Sequence, residues 1–140
     1  MKELTLPSGC PGRNSTLERN EKILIVDDEV AIRRVVELKL KKRGFQVVGA
    51  SNGLEGLRKI QEEKPDAVIT DINMPCLNGK SLCERSDPLK QERRFLTIVL
   101  TARISPDEKQ WIEKMKDTEF MQKPFSPSKL VDRIELYFRH

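Results

Sequence analysis

From Lys22 onward the hydrophobic period of the chain switches back and forth, with short continuous apolar runs alternating with amphipathic stretches. The runs fall at 23–26, 45–48, 67–69, 96–100 and, more weakly, 120–121. They are too short for ordinary helices and lack the polar alternation of a strand with one wet face, so they read as five strands largely buried on both faces. The stretches at 30–42, 54–63, 80–85, 107–116 and 129–138 carry apolar residues at helical spacing. Strands and helices that alternate five times imply a parallel sheet with right-handed crossovers and helices on both faces. The expected fold is therefore α/β, a three-layer doubly wound sandwich of five strands and five helices.

Local signals agree with that pattern. Ser105-Pro106-Asp107-Glu108 puts a capping Ser before a Pro at the first helical position with Glu two further on, and Ser126-Pro127 repeats the opening. Asn52-Gly53-Leu54-Glu55 has the spacing of a capping box. Pro88 is expected to end or interrupt the third helix, leaving 89–94 irregular or as a separate turn. Residues 1–21 hold Pro7, Gly9, Pro11 and Gly12 with almost no periodic apolar pattern, and read as a flexible N-terminal tail. The remainder, 22–140, reads as one domain, the usual outcome for a chain of 140 residues.

Composition excludes several classes of function. With 37% apolar and 34% charged residues the chain suits a folded soluble domain. No run approaches the roughly 20 apolar residues of a membrane span, and Pro and Gly interrupt 1–12 where a secretory signal would be apolar. A cytoplasmic protein without a membrane partner is expected, so the glycosylation sequon Asn14-Ser15-Thr16 reads as chance. Cys10, Cys76 and Cys83 are odd in number and contain no CxxC pair, which leaves neither a disulfide framework nor a zinc ribbon. The net charge of +4 is spread evenly, 13 basic and 11 acidic residues in each half, so no direct nucleic-acid contact is expected. The densest basic run, Lys39, Lys41, Lys42 and Arg43, reads as the last turn of a helix, where the macrodipole favours cations, ahead of the alternative of a phosphate-binding patch.

In open α/β sheets ligands bind beyond the carboxyl ends of the strands. There the first strand ends in Asp27-Asp28-Glu29, the third in Asp71, the fourth in Thr101 and the fifth in Lys123-Pro124. Singly each has an ordinary structural reading: Asp as a helix cap, Thr as a strand former, Lys as a solvated surface group. Together they place three aspartates, a hydroxyl and an amine on one sheet edge. Carboxylates crowded in a crevice raise one another's pKa unless a cation is present, and all-oxygen ligands select Mg²⁺ or a related hard ion. A carboxylate, a hard cation, an ammonium and a hydroxyl around one point suit phosphoryl transfer, which rests on positioning and charge neutralisation. Aspartate can itself be the nucleophile and form an aspartyl phosphate. Two other phosphate motifs fit less well. Gly79-Lys80-Ser81 ends like a P-loop, but Met74 stands where its first Gly belongs. Asp71-Ile72-Asn73 resembles the start of the DxD motif of haloacid dehalogenase-like phosphatases, but Asn73 replaces the general acid.

In order and spacing these residues closely resemble the receiver domain of two-component response regulators, the family that includes the single-domain chemotaxis regulator. The resemblance rests on Ile23-Leu24-Ile25-Val26-Asp27-Asp28-Glu29, Asp71-Ile72-Asn73-Met74-Pro75 with Gly79, Leu100-Thr101-Ala102 and Lys123-Pro124-Phe125, and covers about residues 22–139. The separations, 43 residues from Asp28 to Asp71, 30 on to Thr101 and 22 on to Lys123, are those expected of the family.

The resemblance implies a flavodoxin-like strand order, 2-1-3-4-5, and a role for each matching position. Asp71 would be the phosphoacceptor. Asp28, Asp71 and the Asn73 carbonyl would hold Mg²⁺ (or Mn²⁺), with Asp27 helping directly or through water. Lys123 and Thr101 would bind phosphoryl oxygens, and Ala102 would leave room for the donor. Thr101 and Phe120 would be the switch pair, although a plain strand residue is an equal reading of Phe120. Met74, Pro75, Gly79 and Pro124 would shape the loops.

The implied function is a switch in a two-component phosphorelay. A sensor histidine kinase or phosphotransfer protein would supply the phosphoryl group, and the surface of the fourth helix, fifth strand and fifth helix would change. An effector of unknown identity would dock there, and a phosphorylation-dependent homodimer is also open. Such a domain is not an enzyme beyond catalysing its own phosphorylation and dephosphorylation. The rival is an aspartyl-phosphate phosphatase or phosphotransferase acting on an outside substrate, which needs a general acid near Asp71 and a cap over the crevice. Two stretches depart from the family: the polar Glu84-Arg85-Ser86-Asp87 before Pro88, and Met115-Lys116-Asp117-Thr118 where a Gly-Ala turn is common. The chain stops at His140, after the fifth helix, so no output domain is expected within it and it reads as a stand-alone regulator or an excised piece.

Overall fold

The computed structural model describes residues 20–73, 78–91, 93–102, 104–115 and 117–138. The tail over 1–19, Cys10, the sequon, Met74, Pro75, Cys76 and Arg103 lie outside the described residues. In chain order the elements are β1 Lys22–Val26, α1 Val30–Lys42, β2 Gln46–Ala50, α2 Gly53–Glu63, β3 Ala67–Asp71, α3 Gly79–Ser86, a 3₁₀ helix Asp87–Gln91, β4 Leu96–Thr101, α4 Pro106–Glu113, β5 Thr118–Gln122 and α5 Pro127–Phe138. The strands form one parallel sheet in the order β2-β1-β3-β4-β5. Five helices cover its two faces, so the fold is the flavodoxin-like doubly wound α/β sandwich.

Alternation within β1 divides the core. Ile23 and Ile25 face the side where Val36 and Leu40 of α1 and Leu130, Val131 and Ile134 of α5 pack. Leu24 and Val26 face the other side, against Ile60 of α2, Leu82 of α3 and Phe95. A smaller third cluster joins Cys83, Val99 and Ile112, with Ile72, Trp111, Met115 and Phe120 packed against it. Each fully buried Leu or Ile contributes about 1.5–3 kcal/mol relative to exposure, so these faces are the main stabilising term.

The strands are not equally buried. Those at the centre, β1, β3 and β4, are almost wholly enclosed, as expected for a parallel sheet. At the edges, β2 is buried only at Ala50 and β5 is half-exposed along its length, which corrects the expectation that all five runs are covered on both faces. An edge strand has one neighbour, and fewer helices reach over it. Glu21, read with the tail, is already tied to the sheet, because its carbonyl accepts from the Gln46 amide at 3.1 Å.

Helix boundaries follow local chemistry. Ser105 Oγ accepts from the Glu108 amide at 3.1 Å, with Pro106 opening α4. Asn52 and Asn78 cap α2 and α3 through their side-chain oxygens. Lys39, Lys41 and Lys42 occupy the last turn of α1. Just before Pro88 the α-helix ends at Ser86 and the 3₁₀ helix begins at Asp87, which supplies the separate turn. Asp117 adopts a left-handed φ of 47° just before β5, the conformation a glycine turn would supply.

Candidate functional site

Parallel pairing brings the carboxyl ends of β1, β3 and β4 to one edge. Val26 pairs with Thr70, and Asp71 with Leu100, so Asp27 and Thr101 each lie just past a residue whose partner is at the end of β3. Backbone hydrogen bonds continue the sheet beyond the strands. The Asp27 amide donates to Ala50 O at 3.1 Å, the Ile72 amide to Leu100 O at 3.2 Å and the Lys123 amide to Thr101 O at 2.7 Å.

At this edge one carboxylate oxygen from each of Asp27, Asp28 and Asp71 lies within 4.8 Å of the others. Asp27 is 1% exposed and Asp71 7%, while Asp28 is open to solvent. Asp27 Oδ1 accepts from the Glu29 amide at 2.9 Å, and the Arg33 guanidinium donates to the Asp27 carbonyl. Asp27 Oδ2 is buried without any hydrogen-bond partner. A buried carboxylate oxygen without a donor is costly, and a cation is the remedy its chemistry admits. Burial raises the Asp27 pKa above the ordinary carboxyl value; the Glu29 amide opposes the rise, the neighbouring Asp71 charge adds to it and Lys123 lowers it again.

Asp71 Oδ1 accepts from the Ile72 amide at 2.7 Å, and Asp71 Oδ2 lies 3.2 Å from Lys123 Nζ. Asn73 is exposed two residues beyond Asp71. Under this loop sits Gly79, whose amide donates to Ile72 O at 2.9 Å. A Cβ there would fall 2.4 Å from Asp71 O and 2.7 Å from Ile72 Cα, so only glycine permits the approach of α3 to the end of β3.

Thr101 is buried, and its hydroxyl donates to Glu108 Oε2 at 3.3 Å. Phe120 is half-buried on β5 in the cluster with Val99 and Ile112. Lys123 is followed by a cis peptide to Pro124. A groove of about 600 Å³ opens beside these residues, walled by Ala31, Ile32 and Val35 of α1 and by Ala102, Lys123, Pro124 and Phe125. A cavity of about 330 Å³ near Pro65 and Phe95 lies at the opposite ends of the strands, away from the carboxylates.

Asp27, Asp28, Asp71 and Lys123 thus converge, Thr101 borders them through its carbonyl, and Phe120 stands behind in the packing. Sequence reasoning missed Arg33, the groove residues of α1 and the reach of Glu108 toward Thr101. Val30, Val35 and Leu38 are apolar in the sequence, but that they leave apolar surface of α1 open to solvent is read only once the helix orientation is known. No helix among the described residues is long and apolar enough to cross a membrane.

Comparison with known proteins agrees with this geometry. Residues 23–135 match the model of the response regulator receiver domain. Among curated relatives, a probable transcriptional regulator ycf27 of Guillardia theta is 38% identical over 123 residues, covering 88% of this chain and 47% of that protein. The alkaline phosphatase synthesis transcriptional regulatory protein PhoP of Bacillus subtilis is 35% identical over 121 residues, covering 86% of this chain and 49% of that protein. The chain spans about half the length of the curated relatives it matches. Among solved structures, the chemotaxis protein CheY4 of Vibrio cholerae superimposes with a TM-score of 0.75 at 32% identity, over 83% of this chain and 97% of that one. A CheY-like receiver domain protein of Methanospirillum hungatei gives 0.78 at 28% identity, over 85% and 94% of the two chains. With its topology, its strand-end residues and a family match over most of its length, the chain belongs to the response regulator receiver domains of two-component systems.

Proposed function

We propose that Asp71 accepts a phosphoryl group from the phosphohistidine of a sensor histidine kinase or phosphotransfer protein, and that the modified domain signals through α4, β5 and α5. One observation carries this reading: the Asp71 carboxylate lies between the Lys123 ammonium and the Asp27–Asp28 carboxylates at the open end of the sheet.

The donor set fits a hard divalent cation, Mg²⁺ or Mn²⁺. Three carboxylate oxygens are gathered without nitrogen or sulfur, and the partnerless Asp27 Oδ2 is the oxygen most in want of a positive charge. Asp27, Asp28, Asp71 and the Asn73 carbonyl would hold the ion. When bound it supplies neutralisation of the negative charge on the phosphoryl oxygens during transfer.

A carboxylate oxygen of Asp71 attacks phosphorus; the new O–P bond forms as the N–P bond of phosphohistidine breaks, and the imidazole leaves with the electron pair. Lys123 holds the arriving oxygens by charge, being already 3.2 Å from the acceptor. Exposed Ala102 leaves the entry unobstructed. The apolar groove between α1 and the segment after β5 suits the docking of the donor protein, and exposed Val30, Val35 and Leu38 extend its apolar character along α1. Gly79 and Pro124 shape the chain around the acceptor.

Phosphorylation adds about 1.5–2 negative charges. Lys123 and the Thr101 hydroxyl satisfy them best when Thr101 moves toward the phosphoryl group, and Phe120 then turns into the space it leaves. A state favoured only by the modified protein is populated by modification, which remodels the surface presented to an effector or to a second copy. The domain is on this reading a cytoplasmic switch and acts on no substrate but its own Asp71. Because two of the relatives are named as transcriptional regulators, we infer transcription as the output class, reached through a partner or a further segment rather than by direct nucleic-acid contact of these residues.

The test is mass spectrometry of the purified protein treated with acetyl phosphate. The expected result is a Mg²⁺-dependent adduct on Asp71 that is absent from Asp71→Asn. A stable adduct on Asp71→Asn, or one formed equally well in excess chelator, would refute the assignment. Turnover of a generic phosphate ester would favour a phosphatase instead.

A further inference from the structure

Glu108 stands in the first turn of α4, where it invites reading as the carboxylate of a capping box. Its backbone amide does receive the Ser105 cap. Its side chain, however, turns toward the sheet, and Oε2 accepts the hydroxyl of Thr101 at 3.3 Å. Thr101 is buried at the end of β4, beside the Lys123 amide that is hydrogen-bonded to its carbonyl. Ser105 and Pro106 fix the start of α4, so Glu108 is held in place by its own helix.

We propose that Glu108 is a latch: it restrains Thr101 toward α4 in the unmodified domain and so sets how readily Asp71 is phosphorylated and how completely the switch turns. This deepens the phosphoacceptor reading above and rests on it. Two facts of chemistry carry the argument. A Thr hydroxyl has one hydrogen, so it cannot donate to Glu108 and to a phosphoryl oxygen at once. An ionised carboxylate and a phosphoryl group repel, so the arriving charge at Asp71 disfavours the position Glu108 holds. The latched and phosphorylated arrangements therefore oppose each other, and by linkage whatever weakens the latch must favour phosphorylation. At 3.3 Å the contact is longer than a strong hydroxyl–carboxylate bond, which suits a restraint that has to open. Glu108 acts through Thr101 and is a positioning residue, not a catalytic one.

The experiment compares wild type, Glu108→Ala, Glu108→Gln and Asp107→Ala in Mg²⁺ and acetyl phosphate. Asp107 is an exposed acidic neighbour in the same first turn, and its replacement removes the same charge from the helix start without touching Thr101. Two readouts are followed: the rate of adduct formation on Asp71 by mass spectrometry, and the Thr101 methyl resonance before any phosphodonor is added. For Glu108→Ala we expect adduct formation about three- to tenfold faster and a Thr101 methyl shift toward its position in phosphorylated wild type. Glu108→Gln keeps a neutral acceptor and should fall between wild type and Glu108→Ala; Asp107→Ala should match wild type. If Glu108→Ala does not fold, Glu108→Gln decides by the same two readouts. A wild type that is phosphorylated while the Glu108 variants keep its rate and its Thr101 resonance overturns the latch alone, as does a Glu108 effect that Asp107→Ala reproduces. A wild type that forms no adduct overturns the phosphoacceptor reading, and the latch with it.

Discussion

Lys123 Nζ lies 3.2 Å from Asp71 Oδ2, and this one ion pair ties the end of β5 to the end of β3 across the intervening β4. Its partners are largely but not fully buried, with side-chain exposures of 21% and 10%. The ammonium also faces a carboxylate cluster in which Asp27 is already disfavoured by burial. Its charge offsets part of the repulsion within that cluster.

Removing that cation should expose the repulsion it offsets. Lys123→Ala should lower unfolding stability by about 1–3 kcal/mol, less than a wholly buried pair because solvent still reaches both groups. Urea denaturation with and without Mg²⁺ checks this. The metal should stabilise the variant more than the wild type, and acetyl-phosphate labelling of the variant should slow by at least about tenfold. An equal Mg²⁺ effect on both proteins would show that Lys123 and the metal do not share a site.

Gly79→Ala tests the close approach beneath the acceptor loop. The added Cβ would meet backbone atoms of Asp71 and Ile72, which cannot rotate away as a side chain can. A loss of about 2–4 kcal/mol is expected, together with reduced labelling of Asp71. Gly49→Ala is the control, since its Cβ would meet only the Arg33 side chain at 3.8 Å. Its stability should stay within about 0.5 kcal/mol of wild type.

Asp117 contributes to the pH dependence of stability. The Arg94 guanidinium makes two hydrogen bonds to its carboxylate, at 2.8 and 2.9 Å, and holds its pKa below the ordinary carboxyl value. A carboxyl with a lower pKa in the folded than in the unfolded chain adds stability that is complete above the unfolded value and lost as pH falls through the folded one. Thermal melts between about pH 5 and pH 2 should show a steeper loss for wild type than for Arg94→Ala or Asp117→Asn. Asn tolerates the left-handed backbone at this position, so Asp117→Asn should fold. Parallel slopes for all three proteins would remove Asp117 from the account.

Trp111 is placed to test the proposed switch. It packs, as Met115 and Phe120 do, against the cluster of Cys83, Val99 and Ile112, so the proposed turn of the Phe120 ring should repack a cluster that the indole shares. Its fluorescence should change on adding Mg²⁺ with acetyl phosphate or beryllofluoride, and should not change in Asp71→Asn or Thr101→Ala. An unaltered spectrum in phosphorylated protein, with unaltered amide resonances through α4, β5 and α5, would mean that the signal leaves by another surface.

The sequence by itself determined the alternation of five strands and five helices, and with it the placing of Asp27, Asp28, Asp71, Thr101 and Lys123 at strand ends. That much is legible because the period of apolar residues and the right-handed crossover are local or nearly universal rules. Caps at Asn52 and Ser105 were legible for the same reason, since a cap involves residues three apart. Burial of β2 and β5 was not, because an apolar run has the same composition at the centre of a sheet as at its edge, and only the strand order decides which it is. Lys90 ran against its residue type as well: it is 4% exposed, its amine bonded to Asp117 O and Thr118 Oγ1 and lying over the Phe95 ring, partners brought to it only by the folded sheet. Only the tertiary structure left Asp27 Oδ2 without a donor, set Gly79 against the backbone of Asp71, and turned Glu108 from its own helix toward Thr101. Each of these depends on the distance between elements remote in the chain, a quantity that packing fixes and local sequence rules do not contain.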